Sequence, residues 1–197
     1  MNKKTNVLVF PSGAESGMEI HLALKDVLNI RVVGASKQVD HGRMLYANHY
    51  DNFPNIAEDN FIDELNSLIE KESIDLIMPT HDSVLVFMAQ NLHKINTKVA
   101  VPGLWQAELC RSKKKIYQLF KDDYFNPIVF ETVDDIPAYP IYAKLDEGQG
   151  SKGAFKVDNK EELDQIKDLE NYVLMELLPN EELTLDCFTD RHGKLHY

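Results

Sequence analysis

The residues best suited to chemistry lie in the second half of the chain. Lys144 closes the run Tyr139-Pro140-Ile141-Tyr142-Ala143, and Asp146-Glu147-Gly148-Gln149-Gly150-Ser151-Lys152-Gly153 follows it. Glycines let a backbone approach a polyphosphate closely and turn its N–H groups inward as an anion nest. Lys144, fixed at the end of a strand, places an ammonium against such phosphates. Lys152 adds a second, mobile cation and Ser151 a hydroxyl donor. The same residues also make an ordinary solvated hairpin, and the loop alone leaves the two readings level.

About thirty residues further on, Tyr172-Val173-Leu174-Met175-Glu176-Leu177-Leu178-Pro179-Asn180-Glu181-Glu182-Leu183-Thr184-Leu185-Asp186 joins an apolar strand to spaced carboxylates. An adenine ring needs an apolar slot with backbone hydrogen bonds at its edge, which a strand with Met175, Glu176 and Leu177 offers. A ribose needs a carboxylate for its hydroxyls, and Glu182 is placed for that. The competing reading of Pro179 to Glu182 is an exposed acidic turn.

Other motifs are weaker. Gly13 and Gly17 sit between a strand and a helix, but neither GxGxxG nor GxxxxGK[ST] is present, which favours a plain turn. His81 beside Asp82 reads as a capping pair rather than a dyad. There is no HExxH, no Cys/His cluster and no GxSxG. Cys110 and Cys187 form no CxxC pair and read as two reduced, partly buried thiols.

The chain that must position these groups has 197 residues, 44% hydrophobic and 27% charged, the composition of a soluble globular protein. Its net charge of -11 disfavours nucleic acid and anionic membrane surfaces. No apolar run approaches the roughly 18 residues that span a bilayer. A cytoplasmic location is expected.

The first half alternates strand and helix. Strands are expected at Asn6–Phe10, Ile30–Gly34, Ile74–Met78 and Lys98–Val101. Helices are expected from Ser16 or Gly17 to about Leu28, over Ala57–Lys71, where Phe61, Ile62, Leu65, Leu68 and Ile69 form an apolar stripe, and from Asp82 to near His93. Ala35–Pro54 reads as a polar connection. This spacing implies right-handed βαβ units and a parallel α/β sheet, with the Pro11–Gly17 and Pro79–Asp82 turns at its carboxyl end. After Gly103 the pattern changes. Helices are expected over Leu104–Cys110 and Ser112–Lys121, strands at Ile128–Phe130, Ile141–Lys144, Ala154–Val157 and Tyr172–Leu177, and a helix over Asn159–Leu169 capped by Asn159. Glu182–Thr189 and Lys194–Tyr197 read as a hairpin.

The order and spacing of these motifs resemble the ATP-grasp superfamily, most nearly the carbamoyl-phosphate-synthase large-chain type and its carboxylate–amine ligase relatives. Ile74-Asp75-Leu76-Ile77-Met78-Pro79-Thr80-His81-Asp82 is close to a recurrent stretch of the Rossmann-like pre-ATP-grasp domain. Ser112-Lys113-Lys114-Lys115-Ile116-Tyr117-Gln118-Leu119-Phe120 resembles the DK-x-x-x-Y-x-x-L helix, with Ser112 where Asp is usual. The strand ending in Lys144, with Leu145 in place of proline, resembles the phosphate-lysine strand. Gly148 to Gly153 resembles the glycine-rich lid. Met175 to Asp186 resembles the adenine and ribose segment, with Asn180 and Leu183 where Gly and Tyr are more usual.

The resemblance implies a pre-ATP-grasp domain over 1–103, a helical connection over 104–127, and the lid subdomain with the start of an incomplete C-terminal subdomain over 128–197. It implies ATP as cofactor, with Lys113, Lys144, Gly148, Gly150, Ser151, Lys152, Gly153, Glu176, Leu177 and Glu182 as its contacts. It implies that a carboxylate is activated as an acylphosphate and attacked by an amine or ammonia. The family's magnesium ligands lie on later strands with no counterpart in these 197 residues. The expectation is therefore an N-terminal portion of a ligase, truncated before the metal site, without turnover by itself and able to self-associate as a homodimer. The competing classes are a non-catalytic nucleotide- or small-ligand-binding protein and a Rossmann-like oxidoreductase, which the missing GxGxxG disfavours.

Overall fold

The computed structural model describes residues 4–37, 40–179, 181 and 183–197, which fall into two compact units, Met1–Ile116 and Tyr117–Tyr197.

The first unit runs β1 (Thr5–Phe10), α1 (Glu15–Leu24), β2 (Ile30–Ala35), α2 (Asp40–Leu45), β3 (His49–Tyr50), α3 (Phe61–Glu72), β4 (Leu76–Pro79), α4 (Asp82–Gln90), β5 (Lys98–Val99) and α5 (Leu104–Arg111). Its five strands are all parallel, in the order β3-β2-β1-β4-β5. The expected α/β sheet is present. β1 is buried on both faces, as the central strand of a covered parallel sheet must be. Leu8 and Phe10 join one core, and Val7 and Val9 the other.

Helix α3 buries Phe61, Leu65, Leu68 and Ile69, the apolar stripe read from the sequence. The Phe61 ring lies 5.3 Å from Phe10, 6.0 Å from Phe53 and 5.4 Å from Phe87. Such aromatic pairs add to the roughly 1.5–3 kcal/mol expected from burying each ring. The chain leaves α3 through Ser73 at φ 50, a left-handed residue whose N–H bonds back to Glu70 and Ile69.

Several expectations change in this unit: α3 opens at Phe61 rather than Ala57, β4 covers Leu76–Pro79, and β5 only Lys98–Val99. α1 ends at Leu24 rather than near Leu28, because Val27 and Ile30 donate to the Leu24 and Val27 carbonyls in turns that feed β2. The stretch expected to be a plain connection contains α2 and β3. β3 has only two residues, too few to show an alternation, and exists through its pairing with Gly34 and Ala35 of β2. α4 stops at Gln90, and a 3-10 turn covers Leu92–Lys94.

The chain order reverses between β1 and β4, which makes their carboxyl ends the crevice where open α/β sheets bind ligands. There Thr80 N donates to Phe10 O at 2.9 Å and Thr80 Oγ1 to Pro11 O at 2.6 Å. Ser16 Oγ donates to Thr80 O at 2.8 Å. These bonds tie the two turns together.

α6 (Lys113–Leu119) spans the division between the units. The second unit then has β6 (Val129–Phe130), β7 (Ile141–Leu145), β8 (Ala154–Val157), α7 (Lys160–Leu163), β9 (Tyr172–Glu176), β10 (Phe188–Thr189) and β11 (Leu195–His196). A four-stranded antiparallel sheet has the order β6-β9-β7-β8. One face packs Ile141, Ala143, Val157, Leu163 and Leu174 into a core.

The helix expected over Asn159–Leu169 is a single turn. Asn159 caps it, its Oδ1 accepting from Glu162 N at 2.9 Å, but Asp168 adopts φ 55, which a continuing helix cannot contain. Ile166 still reaches the core from non-helical backbone, and Leu169 from a 3-10 helix over Leu169–Asn171. The hairpin pairs Phe188 with His196 and Thr189 with Leu195, so its first strand is much shorter than expected. Cys110 and Cys187 are free and exposed, not partly buried, because neither lies on a core-facing position. Among the described residues no helix is long and apolar enough to cross a membrane.

Candidate functional site

The strand-end lysine is built by alternation. Along β7, Ile141 and Ala143 point into the core, and Tyr142 and Lys144 stay half-buried on the opposite face. Lys144 pairs with Ala154 on β8 and with Val173 on β9. The Lys144 ammonium donates a hydrogen bond to the Tyr117 hydroxyl and lies 4.9 Å from the centre of the Tyr117 ring. Tyr117 therefore holds the amine at two points, by a hydrogen bond and by a cation–π contact. Tyr117 was not among the residues expected from the sequence to form the site. Its place in the DK-x-x-x-Y-like helix was visible in the sequence, but nothing there linked it to Lys144.

The glycine-rich loop joins β7 to β8. Lys152 N donates to Gln149 O at 3.1 Å, and Gly150 and Ser151 between them both have φ of +57. Two successive left-handed residues in a four-residue turn define a type I′ turn, the form that suits the twist of a hairpin. Among the described residues the Gly150 and Ser151 N–H groups donate to no protein acceptor and remain available to a ligand. Gly153 has φ +69, and a Cβ there would lie 2.6 Å from Leu145 Cδ1. A Cβ on Gly148 would lie 2.9 Å from Leu145 Cβ and 3.2 Å from Lys152 O. The loop thus closes on Leu145, the residue that stands where proline was expected, and only glycine fits at both positions. Lys152 and Ser151 are exposed at the tip.

The sheet divides the adenosine-side residues. Cross-strand partners share a face, so Lys144 shares its face with Val173 and Met175, and Glu176 shares the core face with Ile141. Glu176 Oε1 accepts from Ile128 N at 2.8 Å, and Glu176 N donates to Ile128 O at 2.9 Å. The carboxylate thereby anchors the chain entering β6. Leu177 follows β9 and is half-buried. Glu182 lies outside the described residues. Lys113 opens α6 in the first unit and is half-buried. Ser112, in the place expected for Asp, is buried, and its Oγ accepts from Lys115 N at 3.2 Å. Ser112 supplies the helix cap that the aspartate would have supplied.

In the first unit the His81 Nδ1 accepts from Ser83 N at 3.2 Å and caps α4. Among the described residues no group of three or more His, Cys, Asp or Glu side chains could hold a metal ion.

No family model and no curated protein matches the sequence. Solved structures do match the fold. The biotin carboxylase domain dimer of Hydrogenobacter thermophilus 2-oxoglutarate carboxylase, in complex with MgADP, ADP and bicarbonate, aligns with a TM-score of 0.65 and 17% identity over 91% of this chain and 45% of that one. The L-amino acid ligase of Bacillus licheniformis aligns with a TM-score of 0.60 and 16% identity, over 90% and 45%. N5-carboxyaminoimidazole ribonucleotide synthetase of Thermotoga maritima gives 0.57 and 16%, over 89% and 46%. The chain shares its fold with a part of each of these three proteins. It spans less than half the length of each of these three relatives.

Proposed function

We propose that this chain supplies the nucleotide-holding part of an ATP-dependent ligase of the carbamoyl-phosphate-synthase large-chain type. In this reading ATP provides the phosphoryl group that activates a small carboxylate as an acylphosphate, and an amine or ammonia displaces it. Lys113 and Lys144 neutralise phosphate charge. The N–H groups of Gly150 and Ser151 donate to phosphate oxygens. Lys152 closes from the loop tip. The Met175 face of β9 and Leu177 receive the adenine, with the Glu176 main chain at its edge and Glu182 near the ribose.

The observation that carries the reading is the pairing of Tyr117 with Lys144 on the strand that leads into the glycine-rich loop. An ammonium held in place before the ligand arrives has already lost its rotamer freedom, which favours anion binding. Catalysis in this chemistry is positioning and charge neutralisation, and these are the services such residues perform. In this reading magnesium accompanies the ATP. The polypeptide by itself is expected to bind nucleotide weakly and to turn nothing over. Self-association through exposed strand edges is part of the same reading, and sedimentation measures it.

Titration calorimetry of the 197-residue chain with ADP tests the proposal. Binding weakened by Lys144→Ala supports it. Binding indifferent to that substitution refutes the site, and robust ATP hydrolysis by the pure chain refutes the expectation of inactivity.

A further inference from the structure

The carboxyl ends of β1, β2 and β3 hold a second constellation that the nucleotide reading does not use. Ser12 Oγ lies 2.8 Å from His49 Nε2, and His49 Nδ1 lies 3.0 Å from Asp51 Oδ1. Ser36 Oγ lies 3.3 Å from the same Nε2. By distance, hydroxyl, imidazole and carboxylate follow one another as in a nucleophile–base–orienter triad, although His49 Nδ1 and Asp51 Oδ1 approach without a well-aligned hydrogen bond. Burial separates the two cases. Ser12 is 0% exposed, and the His49 side chain is 4% exposed. No substrate can reach the Ser12 oxygen.

The proton positions follow from the partners. Asp51 as a carboxylate only accepts, and its negative charge 3.0 Å from Nδ1 favours the imidazole proton there over a bare lone pair facing it. Nε2 is then an acceptor with one lone pair, and the nearer hydroxyl, Ser12, donates to it. Burial holds the His49 pKa below its ordinary value, and Arg43, whose Nε is 3.4 Å from Asp51 Oδ2, also opposes a second proton, while Asp51 favours one. The Tyr46 ring packs 5.9 Å from the His49 ring, and the His21 ring lies 4.4 Å from Tyr46 on its other side.

The same turn is gripped elsewhere. Ser12 N donates to Ala35 O at 2.9 Å, and the Tyr46 hydroxyl donates to Gly17 O at 2.6 Å. A Cβ on Gly17 would lie 2.9 Å from Ser12 O, so helix α1 starts hard against the turn. We infer that Ser12, His49 and Asp51 form a tautomer-locked clamp and not a catalytic triad, in which His49 is the positioning residue that fixes the Pro11–Gly17 turn against the ends of β2 and β3. The clamp gives the crevice between β1 and β4 a rigid wall on its β1 side. It stands independently of the nucleotide reading, since none of its residues is among the proposed nucleotide contacts.

Long-range proton–nitrogen correlation on the full chain near about pH 7 reads the tautomer directly. The expected result is a neutral His49 ring with Nδ1 protonated and Nε2 bare. A ring protonated on Nε2 overturns the clamp, and this measurement needs no variant. Asp51→Asn is expected to move the proton toward Nε2, because an amide can donate where the carboxylate could not. Ser12→Ala is expected to speed amide exchange across residues 12–17 by about tenfold, the worth of one net hydrogen bond, with the β7–β9 amides unchanged. Unchanged exchange in the turn of a folded Ser12→Ala variant overturns the positioning role. Labelling of Ser12 by a fluorophosphonate overturns the distinction from a triad.

Discussion

Replacing Lys144 by alanine is the sharpest test of the nucleotide site. The ammonium sits at the end of β7, half-buried, fixed by the Tyr117 hydroxyl and ring. A phosphate oxygen at about 3 Å would attract it by roughly 5 kcal/mol at an effective dielectric near 20. Most of that is offset by lost hydration of both charges and by the exposure of the loop. What remains is about 1.5–3 kcal/mol, the net value of a charge-assisted hydrogen bond, which corresponds to a roughly 10- to 150-fold rise in Kd. Tyr117→Phe keeps the ring over the amine and removes only the hydroxyl, so a smaller loss of about 2- to 10-fold is expected. The assay is titration calorimetry with ADP, with circular dichroism to show that each variant is folded. A folded Lys144→Ala variant within twofold of the parent affinity would refute the argument. A Tyr117→Phe variant that binds more tightly would show that Tyr117 competes with phosphate instead of presenting the lysine to it.

Further outcomes follow from packing and titration. Phe61→Ala leaves a hole among Phe10, Phe53 and Phe87 and is expected to cost about 3–5 kcal/mol, read as a fall in the denaturant midpoint of the first unit. Gly153→Ala meets Leu145 with its Cβ and keeps a left-handed φ, so it is expected to destabilise the second unit by roughly 1–3 kcal/mol, measured by thermal melting. Ser151→Gly removes the left-handed penalty at the turn and is expected to raise the same melting temperature by an amount worth up to about 1 kcal/mol. Hydrogen bonds from Tyr50 and Arg31 hold the Glu72 carboxyl below its ordinary range. Its folded pKa is depressed, so its contribution is present above the unfolded value of 4.5 and is lost as pH falls through the folded one. Glu72→Gln is expected to flatten that acid limb in a series of melts, and an unchanged acid slope would count against it.

Periodicity carried the first unit a long way. Phe61, Leu65, Leu68 and Ile69 are spaced for one helical face, and the short apolar runs at Asn6–Phe10 and Ile30–Gly34 have the length of buried parallel strands. Both signals are local and survive in the sequence. Lys144 and the glycines after it were legible for a similar reason, because a strand end, a cation and residues tolerant of positive φ are chemical types with a fixed spacing. α2 and β3 were not legible. Two residues of β3 carry no pattern, and their strand state comes from hydrogen bonds to β2. The helix expected after Asn159 failed for the opposite reason. Its cap and apolar spacing were present, but Asp168 turned left-handed, and Ile166 and Leu169 reached the core from non-helical backbone and a short 3-10 helix instead of one continuous α-helix.

The sequence by itself determined the alternation of strand and helix, the acidic composition, and the order of motifs that pointed to an ATP-grasp arrangement. Those depend on residue type and on neighbours along the chain. The tertiary structure alone decided which side chains meet. Tyr117 holds Lys144 from 27 residues away, and Ser12 meets His49 from 37. Register put Glu176 on the face opposite Lys144, because a strand sends successive side chains to opposite sides. Burial then gave the Ser12, His49 and Asp51 chain its meaning, since the same three residue types at the surface would be read as a nucleophile and its base.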